Sequence, residues 1–135
     1  MKAGYAIRAG AAALVVATVL ALLLWPGSPE PETATARSAQ HTASLTVNDP
    51  RQGPNTLDFA VTGADGRPLP AHTLTAELAM PQMGHALPPV IAERTGPGRY
   101  RAPGTDIPMP GQWEVTLSLP GGDKVVLPLS VNGNR

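Results

Sequence analysis

Cysteine is missing from this 135-residue chain altogether. Its absence excludes disulfides, zinc–thiolate sites, iron–sulfur clusters and thiol catalysis. Net charge is also missing: ten Lys and Arg balance ten Asp and Glu. A nucleic-acid binder working by bulk charge is therefore excluded. Aromatic residues are few, and with 16 prolines and 14 glycines they argue against a helical bundle. At 15% charged residues, the chain is not a charge-rich disordered one either. There is no G-x-S-x-G, no H-E-x-x-H and no phosphate-binding glycine loop. Asp58, Glu77, Glu93 and Glu114 fall at outward strand positions without a pairing suited to acid–base work. No enzymatic activity is expected.

What the chain does have starts with an uncharged apolar run, Ala9 to Trp25, preceded by Lys2 and Arg8. Residues 1–25 are expected to form an N-terminal membrane anchor, or a signal segment. The basic flank keeps the N-terminus in the cytoplasm and sends the rest across. Trp25 stands where an interfacial anchor belongs, and Pro26-Gly27 ends the run. The nearest small-x-small cleavage match, Ala34-Thr35-Ala36, lies rather far downstream, which favours a retained single-pass anchor. Either way the remaining chain is expected in the periplasm or outside the cell. Residues 26–41, rich in Pro, Ala and Thr, read as an extended, mobile linker, with His41 solvated.

From residue 42 to residue 135 the pattern changes to period two. Ala43, Leu45 and Val47 alternate with polar neighbours, as do Leu57, Phe59 and Val61, then Leu74, Ala76 and Leu78. Trp113, Val115, Leu117 and Leu119 repeat the pattern, followed by Val125, Leu127, Leu129 and Val131. Turn signals separate these runs, among them Asp65-Gly66, Gly96-Pro97-Gly98 and Pro110-Gly111. With weaker runs at Val90-Ile91 and around Tyr100, about seven short antiparallel strands are expected, as an all-β immunoglobulin-like sandwich or, alternatively, a small closed barrel. A five-residue connection, Pro120 to Lys124, would pair Leu119 with Val125 and Trp113 with Val131, turning Trp113 inward.

Beyond Met1 the methionines are Met80, Met83 and Met109, all in proline-marked stretches rather than along strands. Folding the flanks back about Pro97 would set His85 opposite Met109. Three thioethers and one imidazole make a soft, uncharged donor set, which suits Cu(I) better than zinc, calcium or magnesium. Outside the cytoplasm, thioethers also avoid the oxidation that thiolates suffer. The opposing reading is that methionine simply fills gaps at one end of the fold. His72 reads as a loop histidine. Arg94, Arg99 and Arg101 form a small basic edge that could face anionic lipid or an acidic partner, or guard a strand edge.

M-P-Q-M-G-H at 80–85, G-P-G-R-Y at 96–100 and M-P-G-Q-W-E-V at 109–115 together resemble the YtkA-like domain family. These are small exported or membrane-anchored bacterial domains, loosely grouped with FixH-type proteins and similar in their sandwich to CopC-type copper-resistance proteins. The resemblance spans Leu57 to Val131. It implies an immunoglobulin-like fold and a role in copper handling or haem-copper oxidase assembly. It carries the family's Met/His positions onto Met80, Met83, His85 and Met109, and marks Gly98, Tyr100, Gly111 and Trp113 as structural. For a CopC-type Cu(II) site the chain offers only His41 and His72.

The expected function is a membrane-tethered extracytoplasmic domain that holds or delivers Cu(I) through Met80, Met83, His85 and Met109, with a membrane-protein or copper-acceptor partner to receive it. The alternative is a metal-free accessory interaction domain of a membrane complex, with the Met/Pro loops as its contact surface.

Overall fold

In the computed structural model of the chain, residues 16–21, 23 and 31–133 are described. The expected anchor, residues 1–25, lies largely outside them; residues 16–21 and 23 are helical. Among the described residues no helix is long and apolar enough to cross a membrane.

The described residues form nine strands: β1 (Glu32–Arg37), β2 (His41–Val47), β3 (Gly53–Gly63), β4 (Thr73–Met80), β5 (His85–Ala86), β6 (Val90–Gly96), β7 (Arg99–Ile107), β8 (Gly111–Leu119) and β9 (Asp123–Val131). All are antiparallel and belong to one sheet, ordered β1-β2-β3-β7-β6-β4-β8-β9, with β5 beside β4. The first and last strands come side by side, so the sheet is nearly closed. Alternation does the work that the sequence indicates. Leu45, Phe59, Tyr100, Leu78, Trp113 and Leu127 and their period-two neighbours point inward and are buried. Each buried aliphatic side chain contributes about 1.5–3 kcal/mol relative to exposure.

Two strands stand where none was expected. β5 is a two-residue bridge. β1 occupies six of the sixteen residues read as a linker, pairing Glu32↔Val47 through Arg37↔Thr42. Its period-two pattern is carried by half-buried Ala34 and Ala36, too small to register as an apolar face. His41 is therefore not solvated. Its side chain is 11% exposed, with Nδ1 2.6 Å from Asp123 Oδ2. The Ser38 hydroxyl donates to the same oxygen. At the same seam the Ser130 N–H donates to Glu32 Oε1 at 2.9 Å.

The β8–β9 connection is three residues rather than five. Gly121 and Gly122 both take positive φ, 81° and 75°, which lets the chain reverse within Pro120–Gly122. The register becomes Trp113↔Leu129 and Leu117↔Val125, two residues from the expected one. A shift of two preserves parity, so Trp113 still faces the core, at 1% exposure. On the outer face, Arg101 Nε donates to Asp58 Oδ1 at 2.7 Å, with Glu93 across the strand pair, so part of the basic edge is neutralised.

The Asp123 carboxyl is held below the usual carboxylate range, first by the Ser38 hydroxyl and then by His41. A carboxyl depressed in the folded state stabilises above its unfolded pKa, near 3.9, and loses that contribution as pH falls through the lower folded value. Asp123→Asn should therefore lower the denaturation midpoint at pH 7, and the gap to the parent should close below about pH 4. A pH series of denaturant midpoints measures this; a gap that stays constant to pH 3 would refute the seam's role.

Candidate metal site

Successive antiparallel strands give the molecule two ends. One end collects the start of β1, the β2–β3 turn, the β4–β5–β6 turns and the β7–β8 turn. The first methionine block sits here. Met80 closes β4, and Pro81 opens a single 3₁₀ turn, Pro81–Met83. Gly84 reverses the chain in the left-handed region, and its N–H donates to the Pro81 carbonyl at 3.2 Å. The chain then returns as β5, pairing Met80↔His85 and Ala79↔Ala86. Met80 points into the core at 3% exposure, while Met83 is 62% exposed and His85 is also exposed.

The second block lies at the same end. Met109 is half-buried between Pro108 and Pro110. The Trp113 indole N–H donates to the Met109 carbonyl at 3.1 Å, fixing the turn against the core. The two blocks meet because β4 pairs with β8, Ala79↔Glu114. Met80 lies against Gly111: a Cβ there would come 2.9 Å from Met80 Cε and 3.8 Å from Sδ.

The expected route to this meeting is not the one used. Around Pro97 the fold-back does form, with Glu93↔Arg101 and Arg94↔Tyr100. It stops there: the earlier part of β6 pairs along its other edge with β4, Thr73↔Glu93 to Ala76↔Val90, while β7 stays on β3. His85 is opposite Met80, not Met109. Pro88, Pro89 and Pro103 remove the donors that a continued β6–β7 ladder would need.

The four sequence-derived donors thus share one end without gathering into a closed cluster. Met83 and His85 offer their donors outward, Met109 is partly accessible, and the Met80 sulfur sits among core side chains. Among the described residues no three His, Asp or Glu side chains stand together as a metal site. The turns 81–89 and 108–110 carry no Asp, Glu, Lys or Arg. His72 is an exposed loop residue whose carbonyl accepts from the Arg94 N–H at 3.0 Å. The His41–Asp123 pair, at the opposite end, escaped the sequence reading because its partners are 82 positions apart.

Gly111→Ala places a methyl group on Met80 at a φ of 135°, a backbone region costly for a side chain. The expected cost is on the order of 1–3 kcal/mol. In a Met80→Ala background, itself about 2–5 kcal/mol less stable, that increment should shrink. A double-mutant cycle by chemical denaturation reads the coupling; strictly additive effects would separate the two blocks.

A family model described as YtkA-like matches residues 35–118. Neither a curated protein nor a solved structure matches the chain. The match covers more than half of the sequence, and the chain belongs to the YtkA-like family. It begins inside β1, earlier than the sequence motifs indicate, and ends within β8.

Proposed function

We propose that this YtkA-like domain is a membrane-tethered, extracytoplasmic and non-catalytic holder and donor of Cu(I), serving copper homeostasis or haem-copper oxidase assembly. Met83, His85 and Met109 are its exchangeable donors, and Met80 forms the floor beneath them. One observation carries the reading: β4–β8 pairing brings two methionine-bearing turns, both without charged residues, to one end of the sheet. There the Met83 thioether is exposed rather than used in packing. Thioether and imidazole donors fit Cu(I), a soft ion of low coordination number. Open, neutral ligands also suit a carrier that must release its ion.

A retained anchor fits this reading. Val16, Val19, Leu20 and Leu23 in the helical residues are exposed and apolar. The Ala34-Thr35-Ala36 cleavage match lies within β1, and cutting there would remove most of a strand that closes the sheet. The domain is then held in the periplasm or outside the cell. We read the fold as an immunoglobulin-like sandwich, split where β6 leaves β7 for β4.

The second reading, a metal-free accessory domain, draws on a groove of about 390 Å³ that opens at this split. Leu87, Pro88, Pro89, Val90 and Pro108 give it an apolar lining suited to a protein partner.

Titration of the detergent-solubilised full chain with Cu(I) against a competing chelator decides between them. Met83→Leu and His85→Ala should each weaken binding about tenfold or more, roughly 1.4 kcal/mol per factor of ten. Affinity should also fall on acidification, because imidazole binds a metal only when unprotonated. Parent-like affinity in both variants would overturn the copper assignment.

A further inference from the structure

The strand directions fix where the tether joins the domain. β1 begins at Glu32, and Glu32 pairs with Val47 and accepts from the Ser130 N–H. Val47 lies at the β2–β3 turn, where Gln52 Nε2 donates to the Pro108 carbonyl at 2.8 Å. The chain therefore comes in from its N-terminal segment at the end that carries Met80, Met83, His85 and Met109. The His41–Asp123 end is the far one.

Distance then constrains orientation. Residues 26–31 separate Trp25 from β1, and six extended residues reach at most about 20 Å. A nine-residue strand such as β8 is about 30 Å long. The spacer is thus shorter than the domain, and the end where it attaches is the one held near the bilayer.

That end also has the surface for the contact. Turns 81–89 and 108–110 contain five prolines, exposed Met83 and half-buried Leu87 and Met109, and no Asp, Glu, Lys or Arg. Asp49 and Arg51, on the neighbouring β2–β3 turn, neutralise each other, with Arg51 Nε 2.8 Å from Asp49 Oδ2. Exposed Asp106 stands at the rim of this end, beside Pro108, whereas the far end carries Arg37, Asp123, Lys124 and the paired Asp65 and Arg67. An uncharged, proline-framed tip with a projecting thioether suits the interfacial layer of a zwitterionic membrane, where desolvation of charge is the main cost.

We propose that the bilayer surface itself is the partner of this end, with the tip of the β4–β5 turn seated in the headgroup region. This rests on the tethered reading above. It implies that the Met/His donors face the membrane plane, so copper passes to or from acceptors within the membrane rather than across open solvent.

The lack of native cysteine makes the test direct. Gln82→Cys at the tip and, separately, Gln40→Cys at the far end are labelled with an environment-sensitive fluorophore in the full chain. Each is reconstituted into zwitterionic phosphatidylcholine vesicles. The Gln82 label should be quenched several-fold more by brominated lipid than the Gln40 label, and protected several-fold from aqueous iodide. Vesicle flotation is measured alongside. Flotation with both labels equally open to iodide would overturn the bilayer contact while leaving the tether intact, and would pass the tip to a protein partner. Failure to float would overturn tether and contact together.

Discussion

The pairing of β4 with β8 is the contact on which the methionine-bearing end depends. Met80 and Met109 are far apart in sequence, and the turn at Gly96-Pro97-Gly98 does not bring them together. The ladder from Thr75↔Ser118 to Ala79↔Glu114 does. It carries Met80 to Gly111, where only a residue without a side chain leaves space for the thioether methyl. The Trp113 indole then pins the Met109 carbonyl from beneath. One buried methionine and one buried tryptophan thus hold the two turns while Met83 and His85 stay in solvent. The side chains that order this end thus differ from those exposed at it.

Much of the fold is legible from alternation. Period-two runs around Leu45, Phe59, Leu78, Trp113 and Leu127 mark inward faces, and parity keeps them inward even where the register is off by two residues. Three features resist such reading for physical reasons. β1 hides because alanine and threonine alternate without a large apolar face. The β8–β9 turn is shorter than parity alone requires, because paired glycines tighten it. β6 pairs with β4 up to Glu93 and with β7 from Glu93 onward, and nothing local in Val90 to Gly96 signals that division.

The candidate site divides the same way. Residue type and proline framing single out Met80, Met83, His85 and Met109 from sequence. Their unequal exposure follows from strand parity: Met80 continues the inward row of Leu74, Ala76 and Leu78, whereas Met83 lies in the turn beyond it. The Ser38–Asp123–His41 contacts have no counterpart in the sequence reading, because they join two turns that only the closed sheet brings together.

That closure has a consequence for how copies of the chain coexist. Glu32 reaching the Ser130 amide, and Ser38 and His41 reaching Asp123, fasten the two outermost strands to each other. A nearly closed sheet guarded at its seam is a poor template for an incoming strand. Crowded together, neighbouring molecules would meet through turns and side chains and resist zipping into fibrils.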